Sequence, residues 1–161
     1  MIFVTLGTQL PFDRLVSMMD NIAQDVGEEI FGQIGHGKYQ PVHFPCVPTL
    51  SQKDFTQKVQ CARVIVGHAG IGTLLSAQKM GKPVAIVARR SHLGEHRNDH
   101  QLATVSQLGR ISGVYVCETG ADLKAILTRE ELEPMSSGIS QNRADLIARL
   151  RREVDHFVTP C

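Results

Sequence analysis

No stretch of this 161-residue sequence is apolar for long enough to cross a bilayer, no two cysteines are spaced Cys-x-x-Cys, and neither sign of charge dominates: 17 Lys and Arg stand against 16 Asp and Glu, a net charge of +1. Each absence removes a class of function. The first removes a membrane-spanning chain. The second, with Cys46, Cys61, Cys117 and Cys161 widely scattered, removes a disulfide framework and leaves the expectation of reduced thiols in a cytoplasmic protein. The third removes general polyanion binding, so nucleic acid is not an expected partner. Met1 leads directly into Ile2-Phe3-Val4 without a charged and then apolar signal segment, which fits the same cytoplasmic expectation.

What is present is enough apolar material for a core, 42% of residues, in a length that suits a single domain and falls short of two full α/β domains. The chain is organised around Val64 to Ala88. Val64 to Val66 form a β-branched apolar run, Gly67 to Gly72 hold three glycines in six positions, Thr73 to Met80 carry no helix breaker, and Gly81 and Pro83 stop the helix before a second apolar run at Val84 to Val87. This reads as strand, glycine turn, helix, strand. Such a turn gathers free backbone N–H groups and the positive end of a helix dipole, an arrangement that suits a phosphate.

The rest of the chain follows the same alternation. Ile2 to Leu6 predict a buried strand ended by Gly7 to Pro11, and Phe12, Leu15, Val16, Met19, Ile22, Ala23 and Val26 recur at helical spacing up to Gly27. Glu29 to Ile34 and Pro41 to Val47 are expected as short strands, the second irregular because of Pro41, Pro45 and Pro48. Ser51 with Asp54 resembles a helix start leading through Phe55 to Ala62. Asn98 caps an expected helix to Leu108, Val114 to Cys117 predict the last strand, and Ala121 to Leu127 a short helix. After a loop at Glu133 to Gly138, Ser140 opens a final helix carrying Leu146, Ile147, Leu150, Val154 and Phe157. Continuous apolar strands alternating with helices predict a parallel sheet covered on both faces, with ligands beyond the carboxyl ends of the strands. The loops Gly7 to Pro11, Gly67 to Gly72 and Ala88 to Arg97 then share one edge and define the candidate site.

These loops exclude several chemistries. Gly7-Thr8-Gln9-Leu10-Pro11-Phe12 has a single glycine, short of the Gly-x-Gly-x-x-Gly of a dinucleotide site, so NAD is not expected. Gly67-His68-Ala69-Gly70-Ile71-Gly72-Thr73 lacks the Gly-Lys-Ser/Thr ending of a nucleoside-triphosphate loop; a diphosphate without hydrolysis fits it better, with Thr73 offering a hydroxyl in the first helical turn. Arg89 to Gln101 is dense in hydrogen-bonding side chains, the array that a polyhydroxylated ligand such as a sugar requires and that a solvated loop would also show. His92, His96 and His100 recur every four residues, but Gly94 interrupts any helix there and no cysteine joins them, so no metal is expected. No motif holds a nucleophile, base and orienter together, which disfavours a triad hydrolase.

Taken in order, Gly7-Thr8 with Phe12-Asp13 and Leu15, His68-Ala69-Gly70-Ile71-Gly72-Thr73, Gly81-Lys82-Pro83, and Gly94-Glu95-His96 with Asn98-Asp99-His100-Gln101 resemble the carboxyl-terminal, donor-binding domain of family 28 glycosyltransferases. The likeness runs from Met1 to about Leu108. Within that family the chain is similar to the small, PssE-type subunit of split bacterial exopolysaccharide glycosyltransferases, which itself resembles the eukaryotic split N-acetylglucosaminyltransferase of dolichol-linked oligosaccharide synthesis. Arg89-Arg90 before Gly94-Glu95-His96 favours the bacterial branch.

The resemblance implies a Rossmann-like parallel sheet, the donor-binding half of a GT-B enzyme, with residues 1–161 as one UDP-sugar-binding domain. It implies an inverting transferase without a catalytic metal or other cofactor, consistent with the lack of an Asp-x-Asp motif. The acceptor half is then a separate, membrane-associated chain presenting a lipid-linked saccharide. Through it this subunit would sit peripherally on the inner membrane face, and the general base is expected on that partner. Gly70, Gly72 and Thr73 match the diphosphate turn, His100 and Gln101 the pair that binds the donor sugar, and Gly7, Thr8 and His68 should line the same cleft. Phe44 to Val47 match the loop near the uracil. Ser76 stands where relatives commonly carry Glu for the ribose hydroxyls. Glu95 and Arg90 complete the expected substrate-binding set, and Arg89, Arg90 and Arg97 either meet a sugar carboxylate, hence UDP-glucuronate, or balance the diphosphate or face the partner. The last helix, about 140–157, covers the sheet of this domain or docks on the partner. Transfer of N-acetylglucosamine or galactose, or a non-catalytic module of the same fold, remain the alternatives.

Overall fold

The computed structural model describes residues 1–7, 10–90, 93–95 and 108–135. Six strands form one sheet: β1 (Ile2–Thr5), β2 (Ile30–Gln33), β3 (Cys46–Val47), β4 (Val64–Gly67), β5 (Val84–Val87) and β6 (Val114–Cys117). Their spatial order is β3-β2-β1-β4-β5-β6 and every pairing is parallel. Among the described residues four helices accompany them: α1 (Asp13–Ala23), α2 (Gln52–Cys61), α3 (Ile71–Lys79) and α4 (Gly120–Leu127). Among the described residues no helix is long and apolar enough to cross a membrane.

Side chains alternate between the two faces, as a strand of period two requires. Ile2 and Val4 of β1, Val64 and Val66 of β4, and Ala85 and Val87 of β5 join Leu15, Val16, Met19 and Ile22 of α1 and Leu123 and Leu127 of α4 on one face. Phe3, Ile65, Val84 and Ile86 join Val59 of α2 and Leu74 and Ala77 of α3 on the other. Phe3, Ile65 and Ile86 are fully buried, and each such side chain contributes about 2 kcal/mol by leaving water. The sheet is therefore covered twice, the layered parallel architecture expected from its continuous apolar strands.

Most expected elements are present with shifted ends. Ser51 caps α2, its Oγ accepting from the Asp54 amide at 3.2 Å. The first helix ends at Ala23 rather than Val26, although Val26 still packs on the core. Helix α3 begins at Ile71, two residues earlier than expected, so Gly72 lies inside the helix. The largest departure is the expected strand Pro41 to Val47, of which only Cys46 and Val47 pair. Pro41 and Pro45 have no N–H to donate, and the amides of Val42 and His43 are turned toward the Asp20 carboxylate. The segment joins the sheet through its carbonyls, Pro45 to the Gly32 amide, Val47 to that of Ile34 and Pro48 to that of Gly35. Of the helix expected to end at Leu108, only that residue is described; it is helical and buried. The final helix lies outside the described residues.

The strand order reverses between β1 and β4: the chain winds outward through β2 and β3, returns, and winds the other way through β5 and β6. In sheets of this kind the crevice outside the carboxyl ends of the two central strands is where ligands bind. The register pairs Thr5 with Gly67 and Gly67 with Ile86, so β1, β4 and β5 all end at that edge.

Candidate functional site at the strand reversal

Strand β4 leaves the sheet through Gly67 and turns tightly, the Gly70 amide donating to the His68 carbonyl at 2.7 Å. Gly70 is the N-cap of α3, with no capping side chain and no acidic residue in the first turn. The first carbonyl to receive an intrahelical bond is that of Gly70, from the Leu74 amide at 3.2 Å. Helix geometry thus leaves the Ile71, Gly72 and Thr73 amides without a carbonyl partner inside the helix. Helices α2 and α4 are different, since Ser51 caps one and Thr119 with Asp122 forms a capping box on the other. The uncapped, uncompensated N-terminus of α3 stands at the sheet's reversal point, where backbone donors and helix dipole together favour an anion.

The β1 turn closes on this helix start. Gly7 has φ 71°, a left-handed conformation that glycine adopts at little cost. A Cβ there would lie 3.1 Å from Cε1 of His68, and one on Gly70 would lie 2.5 Å from its Nε2. The half-buried His68 ring therefore fills the space between the β1 turn and the N-terminus of α3, where two absent side chains leave room for it.

The β5 loop is tied to the same place by two arginines. Arg89, 2% exposed, donates through Nη1 to the carbonyls of Pro11 (2.8 Å) and Glu95 (3.1 Å), and through Nη2 to those of Leu10 (2.7 Å) and Leu6 (3.2 Å). Arg14, near the start of α1, holds the Glu95 carboxylate through Nε and Nη2 at 2.7 and 2.8 Å and reaches the Ala88 carbonyl at 2.7 Å. Both guanidiniums lie over the fully buried Phe12 ring, 5.1 Å (Arg14) and 4.8 Å (Arg89) from its centre, a cation–π arrangement. Burial would raise the Glu95 pKa, but the Arg14 bonds and the Arg90 amide outweigh it and hold the carboxyl below the usual glutamate range. Burial pulls the Arg89 pKa down, with the Glu95 charge opposing; an arginine stays charged throughout.

A fourth loop, between β2 and β3, is anchored by Asp20. Its carboxylate accepts from the Val42 and His43 amides at 2.9 and 2.8 Å and from the Tyr39 hydroxyl at 2.9 Å. Burial pushes its pKa up, and the His43 and Val42 amides, Tyr39 and the His43 ring together bring it below the ordinary aspartate value.

Of the expected site residues, Gly7, His68, Gly70, Gly72 and Thr73 come together around the start of α3. Ser76 lies one turn further along, its Oγ donating to the Gly72 carbonyl at 2.9 Å. Arg90 is half-buried beside the loop, and its amide donates to Glu95 at 2.8 Å. Glu95 is buried and engaged with Arg14 and Arg90, so in this arrangement it holds the loop. Arg89, one of the three arginines expected to meet a sugar carboxylate, is instead consumed by backbone carbonyls, because its side chain turns inward over Phe12. Thr8, His92, His96, Arg97, His100 and Gln101 lie outside the described residues. Sequence reasoning missed Arg14 and Asp20. Asp20 carried a signal, since it stands four residues after Val16 on the apolar stripe of α1, where a carboxylate must find buried donors. Cys46, Cys61 and Cys117 are free thiols, and burial pushes Cys117 up to about 12.

The family model for the glycosyltransferase family 28 C-terminal domain matches residues 1–152. The chain belongs to this family. The UDP-N-acetylglucosamine transferase subunit ALG13 of Homo sapiens is 30% identical over 127 residues, 72% of this chain and 11% of that protein. The family 28 chain thus spans about a tenth of the length of the curated relatives it matches. Its fold is similar to the NMR solution structure of ALG13, with TM-score 0.61 and 19% identity over 92% of this chain and 93% of that one. It is also similar to the crystal structure of CalG4, the calicheamicin glycosyltransferase, with TM-score 0.55 and 18% identity over 99% of this chain and 43% of that one. The fold is accordingly the Rossmann-like half of a GT-B glycosyltransferase.

Proposed function

We propose that this family 28 domain is the UDP-sugar-binding subunit of a two-chain, inverting glycosyltransferase. The observation that carries the reading is the uncapped N-terminus of α3 at the strand reversal, with the Ile71, Gly72 and Thr73 amides free of intrahelical partners. These amides and the helix dipole would receive the diphosphate and stabilise the charge that grows on it as the bond to the sugar breaks. Ser76 would face the ribose, the β2–β3 loop held by Asp20 the uracil, and His100 and Gln101 the sugar hydroxyls. Gly7, Thr8 and His68 would close the cleft. No metal or cofactor enters this scheme. The general base and a lipid-linked saccharide acceptor would come from a membrane-associated partner, placing this subunit at the cytoplasmic membrane face, and exopolysaccharide assembly is the pathway we assign.

Two sugars have support of different kinds. Arg90 supports a carboxylate and hence glucuronate, with the contribution of Arg89 removed by its burial. The name of the ALG13 relative supports N-acetylglucosamine. Replacing Arg90 with Ala should lower glucuronate transfer more than transfer of a neutral sugar if the first holds; equal losses leave N-acetylglucosamine. The subunit reading itself is tested by NMR titration of the full chain with UDP, ADP and NAD. Shifts from UDP centred on Gly70 to Thr73 are expected. Silence toward UDP, both alone and with an acceptor-binding chain present, would leave a non-catalytic module of the same fold.

A further inference from the structure

We infer that Arg89 is a positioning residue for the nucleotide site, pinning the β1 turn to the β5 loop and so fixing the width of the mouth that the start of α3 faces. The inference deepens the UDP reading and rests on it. Strand β4 lies between β1 and β5, so the glycine turn that opens α3 emerges between the two loops that Arg89 joins. One guanidinium reaches three carbonyls of the first loop, those of Leu6, Leu10 and Pro11, and one of the other, that of Glu95. A trans peptide directs its N–H opposite to its C=O. The bond to the Leu6 carbonyl therefore turns the Gly7 amide away from Arg89 and sets the plane from which the left-handed Gly7 meets His68.

Stability alone does not account for this arrangement. A buried guanidinium is costly to desolvate, and an apolar side chain of similar volume would often serve a core as well. What the guanidinium supplies is geometry: a planar fork whose donors hold several acceptors at fixed angles, which a lysine ammonium cannot reproduce. Phe12 beneath it and the Arg14–Glu95 pair beside it keep the fork in one orientation. A site that must hold a diphosphate in one pose gains from such rigidity, because a displacement of about 1 Å costs up to about a hundredfold in reaction rate and a site ordered in advance binds with less loss of freedom.

The test is calorimetric titration of UDP into the full-length wild type, Arg89→Lys and Glu95→Gln. UDP lacks the transferred sugar, so a direct role of Glu95 at that sugar would not register. Arg89→Lys is expected to weaken UDP roughly tenfold or more with the number of binding sites unchanged, and Glu95→Gln to weaken it in the same direction by a smaller factor. A merely structural role predicts the opposite pattern, fewer competent sites with an unchanged dissociation constant, and that result would overturn the inference. If Arg89→Lys does not fold, the Glu95→Gln titration decides: wild-type affinity in that variant overturns the proposal. A wild-type chain that binds no UDP overturns this inference together with the UDP reading, whereas wild-type binding shared by the variants overturns this inference alone.

Discussion

Arg14 and Glu95, 81 residues apart in sequence, meet in a bidentate pair at 2.7 and 2.8 Å beside the loop that follows β5. Burial works against the Glu95 charge, and the Arg14 and Arg90 donors more than offset it, so its pKa is lowered on folding. A carboxyl whose folded pKa lies below its unfolded value binds fewer protons folded than unfolded through that interval. Its stabilisation is complete above the unfolded value, about 4.3, and is lost as pH falls through the folded one. Asp20 and Glu28 are shifted in the same direction, Glu28 by Arg63 and the terminal ammonium against its own burial. Stability is therefore expected to be level near neutrality and to fall on acidification below about pH 5. Urea denaturation across pH should show a shallower acid limb for Glu95→Gln. An acid limb identical to wild type would show that Glu95 does not carry the effect. Glu95→Ala, which leaves Arg14 unpaired, should cost about 3 kcal/mol at pH 7.

Asp20 makes a second, local prediction. Its carboxylate holds the Val42 and His43 amides where a pairing strand would otherwise use them. Asp20→Ala should destabilise the chain by about 2 kcal/mol, since it removes three hydrogen bonds to a buried carboxylate, and should release the β2–β3 loop first. Amide exchange is the measurement. Val42 and His43 should exchange much faster in the variant while Val64 to Val66, in the centre of the sheet, keep their rank among the slowest. Uniform acceleration of all five would mean that Asp20 stabilises the whole fold without anchoring that loop.

The fold was largely legible because its signals are local and redundant. The Val64 to Val87 unit has apolar strands on either side of a helix bounded by glycines, and the observed β4, α3 and β5 fall within two residues of it. Ser51 announced α2 and did cap it. The Pro41 to Val47 segment misled because its apolar residues suggest a strand, while the fate of its amides depends on Asp20, distant in sequence and met only after folding. The site was legible in part for the same reason. Gly7, Gly70 and Gly72 could be placed by what glycine permits, whereas Arg89 and Glu95 look from sequence like ligand-binding polar residues. Only the three-dimensional arrangement shows that their hydrogen bonds are consumed by Leu6, Leu10, Pro11 and Arg14.

Ser76 offers a way to test the ribose side of the cleft. Its hydroxyl donates to the carbonyl of Gly72 within α3, a bond that contributes little to a helix. Ser76→Ala should change stability by no more than about 0.5 kcal/mol. Ser76→Glu introduces a carboxylate that, under the proposed function, would meet the ribose hydroxyls. A hydrogen bond to a charged group is worth about 1.5 to 3 kcal/mol, so the variant should bind UDP roughly tenfold tighter or more, with little gain for a dideoxy analogue. Equal gains for both nucleotides would show that position 76 does not face the ribose.

The sharpest separation of fold from function comes from Gly72. It is the second residue of α3, exposed, and a Cβ added to it would have no atom of the described residues within 4 Å. Nothing among the described residues needs glycine there. Alanine in a helix is better than glycine by up to about 1 kcal/mol, so Gly72→Ala should raise the thermal midpoint by about 2 to 3 °C. If a diphosphate sits on the N-terminus of α3, the new methyl occupies part of its approach, and UDP affinity should fall even as stability rises. Gly70→Ala should instead lose both, because its Cβ would lie 2.5 Å from His68 Nε2. A Gly72→Ala protein that is more stable and binds UDP as well as wild type would remove the α3 amides from the phosphate site. Opposite movements of stability and affinity, measured on one preparation, would point to the ligand, since no atom of the described residues lies where that methyl would go.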